Sequence, residues 1–207
     1  MPLWGTSADA ITNRPKWCPT DEDSMHNRGD VYATQSGWVR KAGTAATGNG
    51  NTSADPEILV AIGGLAGASG TVGLKAPTPV ACRFVTTSHT NGTSKTMTVE
   101  ITYDEAVTVA TSNPTIVIAN GNQSTDGDGN ATLTYSSALS TANQLQFTNT
   151  GLTLSTNDVY TLGGGSQANI VLASSSTISD TVVGGTTLAA SLVLTGLPAT
   201  TITVTAS

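Results

Sequence analysis

The chain has 207 residues and a net charge of −6, and charged residues make up only 11% of it. This length accommodates one domain of ordinary size and a smaller one, and the abundance of Val, Ile and Thr is not typical of a disordered chain. No basic stripe with interleaved aromatic side chains is present, so the composition excludes nucleic acid as a partner.

The N-terminal segment and the cysteines bear on where the protein works. Residues 1–17 contain no apolar core of about seven residues, so we expect no signal peptide. The longest mostly apolar run, residues 58–68, is too short and too glycine-rich to span a bilayer, so we expect no membrane contact. Cys18 and Cys82 are expected as free thiols, and a disulfide between them is the alternative.

Residues 1–76 are predicted to form an extended arm with a small β region. The prolines of this segment discourage regular structure, and its strand-like part lies in residues 30–40. The segment contains all three tryptophans, Trp4, Trp17 and Trp38.

Two roles for these tryptophans stay open, namely packing in an N-terminal core or burial at a contact with a partner chain. In the second role, nearby basic side chains would form the polar rim that is typical of interfaces. These side chains are Arg14, Lys16, Arg28, Arg40 and Lys41.

The boundary between the two predicted domains follows from linker composition. Residues 42–55 are rich in Gly, Ala, Thr and Asn and are expected to form a flexible loop. Residues 56–65 carry five consecutive apolar side chains and predict a buried strand. Residues 66–79 are rich in Gly, Ala and Pro, which places the boundary between residues 76 and 77.

Residues 77–207 contain short strand-like segments that are separated by Gly, Asn, Asp and Ser clusters. This rhythm predicts an all-β fold, and more specifically an Ig-like antiparallel β-sandwich. The predicted strands are residues 80–86, 96–103, 114–119, 131–136, 144–149, 159–162, 169–172, 189–194 and 201–206. The predicted core consists of Val80, Cys82, Phe84, Met97, Val99, Ile101, Ile116, Ile118, Leu133, Leu145, Phe147, Tyr160, Leu162, Ile170, Leu172, Ile178, Leu192, Leu194, Ile202 and Val204.

The clearest strand is residues 96–103, in which apolar and polar side chains alternate strictly. This period of two predicts one buried and one solvent-facing side. The strand ends at Asp104-Glu105, which we expect to form a turn in solvent. A catalytic carboxylate pair is the alternative, but such a pair needs a cleft and a substrate platform that the sequence does not indicate.

The segment Asp126-Gly-Asp-Gly-Asn130 has the oxygen spacing of a calcium loop. An EF-hand also requires glycine at the sixth position and glutamate at the twelfth, where this chain has Ala131 and Ser137. A polar turn is therefore expected, and a weak calcium site formed by Asp126 and Asp128 is the alternative.

Three further motifs are too weak to predict chemistry. His26 with Cys18, Asp21 and Asp23 lacks the paired short spacing of zinc ligands. The tripeptide Arg28-Gly29-Asp30 matches an integrin-binding motif, but a match of three letters is expected by chance. The glycines at 163–165 are not followed by the Lys-Ser/Thr of a phosphate loop. We therefore expect no catalytic residues, metal or cofactor.

Two groups of segments carry a resemblance to known families. The first group looks like virion structural proteins of marine tailed phages, chiefly those of cyanobacteria. It comprises Leu3-Trp4-Gly5, Arg14-Pro15-Lys16-Trp17, Val31-Tyr32-Ala33-Thr34-Gln35-Ser36-Gly37-Trp38-Val39 and Glu57-Ile58-Leu59-Val60-Ala61-Ile62-Gly63-Gly64-Leu65. The second group is similar to Ig-like domains of bacterial and phage surface proteins, and it comprises residues 97–109, 144–147 and 169–180.

The resemblance implies a non-enzymatic capsid decoration protein on the exterior of the virion. Trp4, Trp17, Trp38, Arg14, Lys16 and Arg40 would then contact the major capsid protein or another virion protein. Copies of the chain itself and host-surface glycans are further expected partners. The alternatives are a neck, tail, baseplate or fibre-adaptor component, and a bacterial surface adhesin module.

Overall fold

The computed structural model describes residues 30–43, 50–63, 65–66, 76–122, 129–180 and 187–207. Within these residues the chain is all-β and contains no helix, which confirms the predicted fold class at this level. The strands are β1 Val31–Thr34, β2 Gly37–Arg40, β3 Glu57–Ala61, β4 Pro79–Phe84, β5 His89–Thr90, β6 Gly92–Tyr103, β7 Val107–Ala110, β8 Thr115–Asn120, β9 Ala131–Tyr135, β10 Gln144–Leu154, β11 Val159–Leu162, β12 Thr177–Asp180 and β13 Thr200–Thr205.

The chain divides into two compact units. Unit 1 comprises Met1–Val80, Tyr103–Thr108 and Ile178–Ser191. Unit 2 comprises Ala81–Thr102, Val109–Thr177 and Leu192–Ser207. Unit 1 therefore includes two segments that follow the boundary predicted between residues 76 and 77.

Unit 1 contains a three-stranded antiparallel sheet in the order β1-β2-β3. Strands β1 and β2 form a tight hairpin that closes at the Thr34–Gly37 pair. Gly37 has a φ of 128°, and a Cβ at this position would lie 1.9 Å from the Val60 carbonyl oxygen. Only glycine fits this backbone approach, because both the φ and the space exclude a side chain.

The segment predicted as a buried strand, residues 56–65, differs from the expectation. Its strand β3 forms the edge of the three-stranded sheet, and Ile58 is 56% exposed. The prediction of burial is wrong at this position because five consecutive apolar residues do not reveal whether a strand has one neighbour or two.

Unit 2 is built on an eight-stranded curled sheet with the order β4-β6-β10-β9-β8-β11-β13-β5. Strands β13 and β5 run parallel, whereas the pairs β6–β10, β10–β9, β9–β8, β8–β11 and β11–β13 are antiparallel, so the sheet is mixed rather than antiparallel throughout. The apolar residues on one face of these strands are buried together. Strands β7 and β12 pair in a separate two-stranded sheet.

His89 lies at the end of the sheet in β5 and is buried, and in the described part of the chain its Nε2 has no hydrogen-bond partner. Burial lowers the pKa of His89, because it disfavours the charged imidazolium. A hydrogen bond with the Thr86 backbone raises the pKa in part, and the positive charge of Lys95 lowers it. Because the pKa is lower in the folded state, the unfolded chain takes up this proton first as the pH falls.

We expect His89 to leave the free energy of unfolding unchanged above about pH 6.5 and to lower it below that pH, by at most about 1.4 kcal/mol per pH unit. Urea unfolding of the wild type and of His89→Asn between pH 7.5 and 5 measures this slope, which should be shallower in the variant. His26→Asn is the matched control. An equal slope in the wild type and His89→Asn would contradict the prediction.

Candidate interaction surfaces

The predicted interface residues of the N-terminal region are only partly within the described chain. Trp4, Arg14, Lys16 and Trp17 lie outside the described residues, and their predicted role stays a prediction. Trp38 and Arg40 both lie in β2.

Trp38 is a core residue of unit 1. It is 2% exposed and packs in a cluster with Val31, Ala33, Leu65 and Ala66. Of the two roles considered for the tryptophans, Trp38 therefore has the core role in this chain. The Arg40 guanidinium lies 3.7 Å from the Glu57 carboxylate on the neighbouring strand β3.

The acidic pair Asp104-Glu105 is buried, so the predicted turn in solvent is wrong. Asp104 is 4% exposed, and Glu105 is wholly buried. The Asp104 carboxylate accepts a hydrogen bond of 2.8 Å from the Thr78 amide, and Glu105 forms a parallel bridge with Ala33. Residues 104–105 are therefore held inside unit 1 by the side chain of Asp104 and by the backbone of Glu105.

The remaining motifs give no gathered site in the described chain. Asp126, Asp128, Cys18, Asp21, Asp23, His26, Arg28 and Gly29 lie outside the described residues. Asn130, at the end of the predicted calcium loop, accepts a hydrogen bond of 3.1 Å from the Asn120 amide. Among the described residues, no three His, Cys, Asp or Glu side chains cluster in a way that could hold a metal ion.

The glycine run at 163–165 forms a tight turn. Gly163 and Gly164 both have positive φ, and a Cβ on Gly163 would lie 2.9 Å from Cys82 Sγ. Their amides donate to the Gln167 side chain and to the Leu197 carbonyl. Since these N–H groups are engaged within the protein, the glycines serve the close packing of the turn.

Cys82 is a free thiol buried beside this turn, with Sγ 3.7 Å from the Pro198 carbonyl oxygen. Burial raises the pKa of Cys82 to about 11. In a Cys18→Ser background we therefore expect native Cys82 to react with a thiol reagent at pH 8 at least about 100-fold more slowly than a free cysteine. Unfolding in guanidinium should restore the ordinary rate, and rapid reaction of the native protein would contradict the assignment.

Unit 2 carries buried acids that sequence reasoning missed. Glu100, on β6, is 4% exposed and lies 2.8 Å from both Arg83 Nε on β4 and Gln146 Nε2 on β10. Asp158 accepts hydrogen bonds from the Asn120 side chain and the Ser155 amide, each 2.8 Å long. Both carboxylates are therefore satisfied within the protein, as buried charges generally are.

The described part of unit 2 carries few charged side chains. Arg83 is paired with Glu100, Asp158 is buried, and Lys95 donates a 3.0 Å hydrogen bond to Thr90. In the described parts of unit 2, the charged side chains are Arg83, Lys95, Glu100 and Asp158.

A row of threonines crosses the polar face of the sheet in unit 2. Thr98 pairs with Thr148, Thr148 with Thr134, and Thr134 with Thr115, on the consecutive strands β6, β10, β9 and β8. Paired residues share a face and strands lie about 4.8 Å apart, so the four side chains are regularly spaced, with Thr134 exposed, Thr115 and Thr148 half-buried and Thr98 buried. The sequence shows that threonine recurs at polar positions of the strands. Only the register between the strands shows that these threonines form one row.

Comparisons with protein-family models, curated proteins and solved structures found no match to this chain. No helix in the described part of the chain is long and apolar enough to cross a membrane.

Proposed function

We propose that this protein is a non-enzymatic structural component of a virion, in particular a capsid decoration protein. In this proposal the N-terminal region binds the major capsid protein, and the Ig-like β-sandwich that we assign to residues 77–207 is displayed on the exterior. The residues proposed for the capsid contact outside the described chain are Trp4, Arg14, Lys16 and Trp17.

The observation that carries this proposal is the sparsely charged, threonine-rich surface of the described part of unit 2. Charged groups resist close packing because they must be desolvated, whereas Thr, Asn and Gln side chains tolerate it. A surface of this composition suits a module that stands among many copies of itself on a lattice.

Several described groups that could carry chemistry have structural partners, which favours a structural role. Asp104 accepts a backbone hydrogen bond from Thr78, and Glu100 is paired with Arg83 and Gln146. The high pKa of Cys82 makes it a poor nucleophile at neutral pH.

Copy number tests the proposal most directly. Quantitative mass spectrometry of purified particles of the encoding virus, against the major capsid protein, should find hundreds of copies per particle. Six or twelve copies would instead indicate a neck or tail component. Absence of the chain from purified particles would overturn a virion role and favour the surface-adhesin alternative.

A truncation tests the docking role of the N-terminal segment. Residues 1–29 can be removed without touching β1, which begins at Val31, whereas a longer deletion would destroy the sheet of unit 1. We expect the truncated chain to fold but to lose binding to empty capsids in a co-sedimentation assay. Arg40→Ala in the full-length chain tests in the same assay whether Arg40, which lies in the described part, contributes to capsid binding. Undiminished binding of the truncated chain would refute the docking role of residues 1–29.

A further inference from the structure

Strand β3 presents an open edge in unit 1. It is the last strand of the β1-β2-β3 sheet, and in the part of the chain that the structure describes no strand pairs with its outer side. An edge strand exposes unpaired N–H and C=O groups that can pair with another strand. The edge is also apolar, since Ile58 is 56% exposed.

Ile58 is the exposed end of an apolar row that crosses the sheet. Tyr32 pairs with Val39, and Val39 pairs with Ile58, so the three side chains share one face. The register shifts by one residue directly after this row, because Trp38 pairs with Val60 and Leu59 is the extra residue of β3. Tyr32 and Val39 are buried, whereas Ile58 is not. An additional strand beside β3 would therefore continue this row and bury Ile58.

The charge of the edge indicates what the additional strand is. Glu57 is the single charged residue of β3, and Arg40 on the adjacent strand lies 3.7 Å from its carboxylate. The edge is therefore electrically self-neutral although the whole chain carries a charge of −6. A patch without net charge can face a copy of itself without like-charge repulsion, whereas a strongly charged segment would find no opposite charge there.

We propose that β3 pairs antiparallel with β3 of a second copy across a two-fold axis at Ile58, which forms a six-stranded sheet. In this register Ile58 faces Ile58 of the second copy, and Glu57 lies opposite Leu59 rather than opposite another carboxylate. The apolar row then runs continuously through both copies. The dimer is closed, because each copy uses its only β3 edge, and Pro56 limits the ladder by its missing N–H.

Sedimentation equilibrium of the full-length chain, from about 5 μM to about 1 mM, tests the proposal independently of any role in a virion. We expect a monomer–dimer equilibrium that Ile58→Lys weakens at least tenfold. Val171→Lys is the matched control, because Val171 is 52% exposed in unit 2, and it should leave association unchanged. Circular dichroism melts verify that both variants fold.

Cross-linking tests the register. In a Cys18→Ser background, Ile58→Cys should give an oxidised dimer on a non-reducing gel, because directly opposed antiparallel positions bring Cβ atoms within about 5.5 Å. Val171→Cys is the control and should give none. A wild-type chain that stays monomeric, or dimers that Ile58→Lys does not weaken, would overturn the proposal. Loss of capsid binding in Ile58→Lys with unchanged self-association would assign the edge to a capsid segment instead, and would also overturn it.

Discussion

Replacing Trp38 by alanine is expected to lower the free energy of unfolding by about 3–5 kcal/mol. The indole is almost wholly buried among Val31, Ala33, Leu65 and Ala66, so its removal leaves a cavity in the small core of unit 1. Urea unfolding followed by circular dichroism measures the loss. Trp38→Phe should cost less, because the phenyl ring refills most of the space and Nε1 has no hydrogen-bond partner in the described chain.

The control is Ile58→Ala in the same sheet, measured on dilute protein. Because Ile58 is more than half exposed, we expect its truncation to cost about 1 kcal/mol or less. A Trp38→Ala variant as stable as the wild type would contradict the core role of this side chain. This pair of variants therefore separates the two roles that the sequence left open.

Replacing Arg83 by methionine is expected to destabilise the protein by about 2–3 kcal/mol. The Glu100 carboxylate is buried, and the change removes its ion-pair partner and leaves the hydrogen bond from the Gln146 amide. The expected loss lies below that for a fully buried pair because the Arg83 side chain is 34% exposed. The same unfolding experiment measures it.

A double-mutant cycle provides the control. Arg83→Met with Glu100→Met removes both charges, so the uncompensated carboxylate disappears and most of the loss should be recovered. If the double variant is as unstable as the sum of the single variants, the ion pair does not account for the effect. A cost below about 0.5 kcal/mol for Arg83→Met would show that solvent reaches Glu100.

The core of residues 77–207 was largely predictable. Seventeen of the twenty predicted core side chains are buried, and Val80, Leu172 and Leu192 are the half-buried exceptions. Alternating apolar residues specify which side chains avoid water whatever the strand order is, because the period of two belongs to the strand itself. The predicted strand at residues 159–162 coincides with β11.

Two of the predicted strands are absent from the structure. Residues 169–172 and 189–194 have apolar alternation, but each makes only an isolated bridge, Thr115–Val171 and Ser179–Ala189 respectively. A strand requires a continuous partner, and the local pattern carries no information about that partner. The short strand β5 was missed for the converse reason, because its pairing with β13 depends on residues more than 100 positions away.

The first prediction about residues 96–103 was half right. The apolar side chains Met97, Val99, Ile101 and Tyr103 are buried as predicted, but Thr98, Glu100 and Thr102 on the opposite face are buried as well. Strand β6 lies between β4 and β10, and long neighbouring side chains such as Arg83 and Gln146 reach over Glu100. The alternation of apolar and polar residues shows that a strand has two different faces. It does not show whether neighbouring side chains cover the polar face.

By itself, the sequence determined that this protein is all-β, that its core lies on one face of many short strands, and that charge is scarce. These properties are local, since they follow from side-chain period and composition. The tertiary structure decided that Asp104 and Glu105 are buried, that Trp38 packs in a core, and that β3 is the edge of its sheet among the described strands. Each of these depends on contacts between residues distant in the chain, such as Thr78 with Asp104 and Ala33 with Glu105, which no local pattern encodes.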